Sequence, residues 1–287
     1  MNKPLLSIVI ANYNYGRFLE EAIQSVLSQS CNDYELIIVD GGSTDNSVEI
    51  IKKYEDKIAW WVSEKDKGQS DAFNKGFAHA KGRYLTWLNA DDVLHHGAIK
   101  AIITALRKSP NCEWFTGNFF RFDREGNILQ IGWGPHCYPK WMQRRNSPIV
   151  VFGPSTIFSK DLWERMGKID VDMHLMMDTD MWMRFIVAGV KQQRIRHFIW
   201  GFRMHEDSKT AEFGEHKIND KHARMLLKEN ASTLEKTGYK CSKFWRIISL
   251  CMRVVDMSLL RRWWYKITFK KFRPDLLSMG GQGGTSI

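Results

Sequence analysis

Four apolar strand-like runs alternate with helical runs over the first 90 residues, and this rhythm limits the fold more than any other feature of the chain. The runs are LLSIVIA (5–11), ELIIVD (35–40), KIAWWVS (57–63) and RYLTWLN (83–89). Continuous β-branched apolar runs of this length mark strands buried on both faces. Between them, GRFLEEAIQSVLSQS (16–30) places Phe18, Leu19, Ala22, Ile23, Val26 and Leu27 at helical spacing. A second helix follows around NSVEIIKKYE, with Ser43 or Thr44 as its cap, and a third spans GQSDAFNKGFAHAKG (68–82). Strand–helix alternation at this pace predicts βαβ units and an α/β fold built on a mostly parallel sheet. The opening MNKPLLSIVIANYN has no small-residue cleavage site and reads as the first strand rather than as a signal peptide.

Beyond residue 90 the pattern loosens. WFTGNFFRFD (114–123) and NILQIGW (127–133) read as a hairpin, 134–150 as a loop and VVFGPSTIFS (150–159) as a strand. DLWERMG (161–167) and DTDMWMRFIVAGV (178–190) read as helices, IRHFIWGFRMH (195–205) as the last strand of the body and 215–237 as a polar helix. Trp87, Trp182 and Trp200 stand at apolar positions and are expected in the core. Trp133, Trp141 and Trp163 are expected to be more open.

Composition narrows the classes. A chain of 287 residues with 44% hydrophobic and 26% charged residues is globular and long enough for a sizeable core. Five cysteines without a CxxC pair argue against a disulfide scaffold or a zinc ribbon and favour a reducing compartment. The net charge of +10 is concentrated: residues 243–273 hold nine Lys or Arg and one acid, Asp256, so this segment carries +8. Arg246, Arg253, Arg261 and Arg262 interrupt its apolar stretches, which disfavours a spanning helix. With Trp245, Trp263, Trp264 and Tyr265, it suits a helix lying in a membrane surface, or one that packs on the body with its bases solvated. The near-neutral remainder shows no basic stripe or recognition motif, so nucleic acid is not an expected partner.

Ligands of open parallel sheets sit outside the carboxyl ends of the strands. Read by strand end, the polar residues are Ala11-Asn12-Tyr13-Asn14, then Asp40, then Ser63-Glu64-Lys65-Asp66-Lys67, then Asn89 and Asp91-Asp92. Asp91-Asp92 is a hard-oxygen pair with too few ligands for a closed cage. It suits Mg²⁺ or Mn²⁺ shared with substrate phosphates, or equally a turn that caps the next helix. Asp40 suits hydrogen bonds from a base or ribose. The chain lacks GxGxxG after its first strand, GxxxxGK[ST] and GxSxG, so a bound nucleotide is expected to be held by side chains and metal.

These segments resemble the inverting glycosyltransferases of family 2, which have the GT-A fold. The resemblance runs over about residues 5–210, through SIVIANYNYGRFLEEAIQSVLSQS, IVDGGSTDNSVEII, SEKDKGQSDAFNKGFAHAKGRYLTWLNADD, then GPSTIFSKDLWERMGKID with MDTDMWMRF, and RMHEDSKT. It implies a GT-A domain over 1–210 and a helical extension over 211–287. It implies Asp40 as a nucleotide contact, Asp92 as the metal ligand and Asp91 on the sugar or ribose, with Asn89 in place of the usual first Asp. Asp178 becomes the catalytic base, with Asp180 as rival because Met177 replaces the usual preceding acid. His205 reaches the metal or a phosphate, and Lys209 a phosphate. Ala11, Tyr13, Lys67 and Asp71 complete the donor contacts.

The reaction so implied is a single displacement. An acceptor hydroxyl, deprotonated by Asp178, attacks the anomeric carbon of a nucleotide-diphosphate sugar, with UDP the default nucleotide. Mn²⁺ or Mg²⁺ offsets the charge of the leaving diphosphate. The acceptor is a glycan or lipid-linked glycan of surface polysaccharide or glycolipid synthesis, and the enzyme is expected on the cytoplasmic face of the plasma membrane, held there through 243–273. Two other classes compete. A sugar-phosphate nucleotidyltransferase should carry a GGxGTRxxP-type loop after its first strand, where Asn12-Tyr13-Asn14-Tyr15-Gly16 stands instead. A non-catalytic membrane-binding protein would need none of Asp40, Asp92 and Asp178.

Overall fold

The computed structural model describes residues 3–134, 153–208 and 220–238. The loop expected at 134–150, with Trp141, lies outside these residues apart from Gly134, as do Lys209 and the cationic segment 243–273. Four strands, β1 (Leu6–Asn12), β2 (Tyr34–Asp40), β3 (Trp60–Ser63) and β4 (Tyr84–Asn89), form a parallel block in the order β3-β2-β1-β4. The connections are α1 (Gly16–Leu27), α2 (Ser47–Lys53) and α3 (Gln69–His79). The four runs read as buried strands are these strands. The third starts later than its apolar run because Glu55–Lys57 turn as a short 3₁₀ helix.

Period-two alternation divides each central strand between two cores. Leu6, Ile8 and Ile10 join Leu36 and Ile38 under α1, while Val9 and Ala11 join Ile37 and Val39 under α3. Each fully buried aliphatic side chain contributes about 1.5–3 kcal/mol relative to exposure. Helix α3 lies especially close to the sheet: a Cβ at Gly76 would stand 2.3 Å from Val9 Cγ1.

Past β4 the sheet is mixed rather than mostly parallel. Next to β4 come β8 (Thr156–Ser159), β6 (Trp114–Phe122), β9 (Gln192–Arg203) and β5 (Val93–Leu94), with β7 (Ile128–Gly132) paired to β6. Strand β8 is antiparallel to both neighbours, β6 and β9 are parallel, and β5–β9 and β6–β7 are antiparallel. Of the strand expected over 150–159, Gly153–Ser155 form a 3₁₀ turn and Thr156–Ser159 the strand, while 150–152 lie outside the described residues. The expected hairpin is β6–β7. Two elements were not read from sequence: β5, only two residues long, and α4 (Ala98–Lys108), which buries Ile99, Ile102, Ile103 and Leu106.

Three further helices complete the body: α5 (Lys160–Arg165), α6 (Met177–Val187) and α7 (Asp220–Thr237). An aromatic column fastens α6 to the sheet. Trp182 stacks on Trp87 of β4 (centroids 5.6 Å apart, planes 3° apart) and on Trp114 of β6 (5.8 Å, 18°). Trp87, Trp182 and Trp200 are core residues as expected. Trp163 is not open: it is buried, edge-on to Phe77, because α5 lays it against α3. No helix among the described residues is long and apolar enough to cross a membrane.

Truncating the centre of the column is expected to be costly. Trp182→Ala should lower unfolding free energy by about 3–5 kcal/mol, read as a lower urea midpoint at unchanged slope. A loss below about 1 kcal/mol would show that α6 is held by something else.

Candidate active site

Register brings the strand-end residues together. Asn12 pairs with Asp40, Asp40 with Ser63, and Ala11 with Asn89. Over these ends opens a cleft of about 540 Å³ whose lining includes Ala11, Tyr13 and Asp91. This volume suits a small-molecule site. Tyr13 is 59% exposed at the rim, an aromatic face free to stack on a planar group.

Asp40 does not line the cleft. It is fully buried, and its carboxylate accepts from Asn12 Nδ2 (2.6 Å), Ser43 N (2.9 Å), Ser43 Oγ (2.5 Å) and Ser63 Oγ (2.6 Å). With its oxygens so occupied, it shapes the Gly41-Gly42-Ser43 turn instead of meeting a ligand. Gly42, at φ 81°, makes that turn possible. Lys67 and Asp71 are also absent from the lining. Lys67 donates its backbone N–H to Asp71 Oδ2 (3.1 Å), and Asp71 pairs with Lys75 (3.7 Å) on the first turn of α3. The cleft wall there is made by Lys65, Asp66, Gly68 and Gln69. Lys65 and Asp66 stand among the polar residues read at this strand end, but the donor contacts were expected at Lys67 and Asp71; Gly68 and Gln69 were not singled out.

The two adjacent acids differ in placement: Asp91 lines the cleft and Asp92 is buried behind it. Asp92 is fully buried; its Oδ1 accepts from the Arg203 backbone N–H (3.0 Å) and its Oδ2 from Asn89 Nδ2 (2.8 Å). Burial, and next the charge of Asp91, push its carboxyl well above the usual aspartate range. Asp92 thus lies behind the cleft, with one oxygen engaged by Arg203 and the other by Asn89. Asp91 faces the cleft, and its Oδ2 lies 3.1 Å from His205 Nε2. His205 is buried beneath Tyr15 and Phe18, and its Nδ1 has no partner among the described residues. Tyr15 donates to the Asp207 carbonyl (2.9 Å); burial, then the charge of Asp91, push its phenol up to about 12. Among the described residues no three His, Cys, Asp or Glu side chains gather as a metal cage. A metal at Asp91 and His205 would therefore complete its shell from phosphate oxygens and water.

A second cavity of about 140 Å³ shares Gln69 and Asn89 with the cleft and is lined by Asp178 and His174. Gln69 Nε2 donates to Asn89 Oδ1 (2.8 Å) at the boundary. Asp178 accepts from its neighbour Thr179 N (2.6 Å), and burial pushes its carboxyl up. Its rival Asp180 is committed elsewhere. It is buried, bonded to Arg184 Nε (2.9 Å) and to Thr233 Oγ1 (2.9 Å). Of the two acids, Asp178 alone borders this cavity.

Known proteins share this fold. A likeness to solved glycosyltransferases gives the fold class. Staphylococcus aureus TarS, solved with UDP-GlcNAc, superposes with TM-score 0.57 at 14% identity, covering 77% of this chain and 64% of that one. A mannosyltransferase from Pyrobaculum calidifontis, solved with GDP-Man and Mn²⁺, superposes with TM-score 0.54 at 15% identity, covering 96% and 86%. The fold is of the GT-A type. Residues 7–165 match the family model for glycosyl transferase family 2, and the chain belongs to that family. Among curated relatives, an uncharacterized glycosyltransferase of Nostoc sp. is 43% identical over 108 residues, 36% of this chain and 33% of its own length. Escherichia coli chondroitin synthase is 26% identical over 190 residues, 65% of this chain and 27% of its own. The chain thus spans well under two thirds of the length of these relatives.

The different burial of the two acids sets a ranking in stability. Asp92→Ala should cost at least about 2 kcal/mol, because it strands the buried N–H of Arg203 and the Asn89 amide. Asp91→Ala should cost less. Denaturation midpoints of the two variants decide this, and the reverse order would contradict the assignment.

Proposed function

We propose that the protein transfers a sugar from a nucleotide-diphosphate sugar, UDP-linked by default, to an acceptor hydroxyl with inversion. The observation that carries this reading is the juxtaposition of two cavities. A strand-end cleft bearing Asp91 and His205 meets, across Gln69 and Asn89, a smaller cavity bearing Asp178. Donor and base thus have separate places with a common boundary.

Tyr13 stacks on the base, and the Ala11 backbone region receives the nucleoside. Asp91 and His205 are the residues that would hold a divalent cation, Mn²⁺ or Mg²⁺. A carboxylate and an imidazole facing one another across 3.1 Å fit such an ion, with diphosphate oxygens filling the open positions. When bound, the cation neutralises charge on the leaving diphosphate. Asp178 accepts the acceptor's hydroxyl proton. Its burial raises its basicity, which matches the task, because a base works best with a pKa nearer the operating pH. The P. calidifontis and S. aureus neighbours, solved with GDP-Man and Mn²⁺ and with UDP-GlcNAc, support a nucleotide-sugar donor and a divalent ion. The +8 segment 243–273 favours an acceptor at a membrane surface, in surface polysaccharide or glycolipid synthesis.

Binding is tested by melting temperature with UDP, GDP and dTDP, with and without Mn²⁺. Saturation at a hundred times Kd stabilises the fold by about 2.7 kcal/mol. A rise that needs nucleotide and Mn²⁺ together, and loses its metal dependence in Asp91→Asn, is expected. No rise with any nucleotide on folded protein would sink the donor site. Turnover should release nucleoside diphosphate; release of pyrophosphate would indicate a nucleotidyltransferase instead.

Asp178→Asn should keep that nucleotide-dependent rise while kcat falls about 10²- to 10⁴-fold. In wild type, kcat/KM should climb with pH as Asp178 loses its proton. Because burial raises that carboxyl, the acid limb should lie above the usual aspartate range. A limb at or below that range would remove Asp178 from the role.

A further inference from the structure

Helix α6 carries Asp178 as its second residue, yet the chain gives this helix no cap of its own. Met176 occupies the N-cap position, and no side chain there accepts a hydrogen bond. The first N–H groups of any helix lack intrahelical partners and need an acceptor. Asp178 itself accepts the N–H of Thr179 in the first turn, while the residues that lead into the helix are held by a distant part of the chain. Glu229, in the middle of α7, is buried, and its carboxylate accepts from three consecutive backbone N–H groups. These are His174 (3.0 Å), Leu175 (3.0 Å) and Met176 (2.8 Å). An anion at a helix N-terminus is favoured by the helix dipole. One turn further along α7, Thr233 donates to Asp180 (2.9 Å), which itself holds Arg184. Glu229 and Thr233 stand four apart and so share one face of α7.

The opposite side of the loop before α6 is held by α3. Ser70 Oγ donates to the Met173 carbonyl (2.8 Å). Asn74 donates to the Ile169 carbonyl (2.7 Å) and accepts from the Ile169 N–H (3.1 Å). The start of α6 is therefore clamped between a helix that borders the donor cleft and a helix far beyond the matched family segment. Only the second clamp is ionic.

We propose that Glu229 is a positioning residue for sugar transfer: α7 brings its carboxylate to the uncapped start of α6 and thereby sets where Asp178 is held. Helix α7 is on this view part of the catalytic apparatus and not an appendage. The inference rests on Asp178 being the base. Loss of the clamp changes the chemical step and leaves donor binding alone, because Ala11, Tyr13 and Asp91 lie on other elements. A misplacement of a catalytic group by about 1 Å can cost on the order of 10²-fold in rate.

The test uses the full chain with the UDP-sugar that wild type turns over fastest. Glu229→Gln, Glu229→Ala and Asp178→Asn are compared well below each variant's own melting temperature. Glu235→Gln, which removes the same charge from an exposed position of α7, is the control. Expected is a graded fall in kcat, about 10-fold for Gln and up to about 10²-fold for Ala. Donor KM and UDP affinity should stay at wild-type values, and Glu235→Gln should match wild type. Glu229→Gln keeps the side-chain volume and one acceptor, so it carries the test should Glu229→Ala fail to fold. Hydrogen exchange gives a second readout independent of turnover. Amides 174–178 should lose protection in Glu229→Gln while amides 8–12 of β1 keep theirs. A lower melting temperature with unchanged kcat and unchanged protection at 174–178 would reduce Glu229 to a stabilising contact and overturn the proposal. Wild-type kcat in Asp178→Asn would instead overturn the base assignment itself, whatever the Glu229 variants do.

Discussion

The buried carboxylate of Asp92 is the tie on which the site depends. It joins the loop after β4 to the end of β9, 111 residues later, by accepting the Arg203 backbone N–H. Arg203 returns the connection by donating from Nε to the Asp91 carbonyl (2.9 Å) and pairs with Glu21 of α1. Its guanidinium also lies over the rings of Phe18 and Phe122. A buried polar group is costly unless its hydrogen bonds are made. Here each satisfied bond also fixes a functional neighbour. Asp91 precedes Asp92 and His205 follows Arg203 by two residues, so the same tie holds these two side chains face to face.

A second constraint, apolar and larger, sets the other half of the site. The Trp87–Trp182–Trp114 column is built from β4, α6 and β6. Trp87 lies two residues before Asn89, which borders the donor cleft, and Trp182 lies four residues after Asp178. Stacked indoles tolerate little sliding in a close-packed core. Donor cleft and base cavity are thus referenced to one rigid body. The ionic clamp from Glu229 then trims the start of the helix that the column holds at its middle.

Much of the fold was legible. Four continuous apolar runs gave four parallel strands, three of them buried and the third, β3, half-buried at the sheet edge, and the strand ends converge as the parallel topology requires. Ala11, Tyr13 and Asp91, read from strand ends, and His205 and Asp178, implied by the family resemblance, all border a cavity or face one another. The misassignments share a physical origin. Asp91 and Asp92 are adjacent, so their side chains leave the backbone in different directions, and periodicity alone does not say which direction is the cleft. Lys67 and Asp71 lost their places to Lys65, Asp66 and Gln69 because the loop turns at Gly68, at φ 111°, where no period applies. Asp40 was read from its position at a strand end, but four neighbouring donors that fill its oxygens come from three separate segments.

What the sequence by itself determined is the class of architecture and the pool of reactive groups. Local pattern sets which segments become strands and helices, and chain polarity sets which end of a parallel sheet gathers their polar residues. Tertiary structure alone decided which member of each acidic pair is free. Asp91 rather than Asp92 faces the cleft, and Asp178 rather than Asp180 borders the cavity, because the other member is consumed by partners 111 and 53 residues away. The anchor of the segment leading into α6 is of the same kind: only folding brings Glu229 to the N–H groups of His174, Leu175 and Met176. A carboxylate's availability depends on who else bonds it, and those partners are neighbours in space, not in sequence.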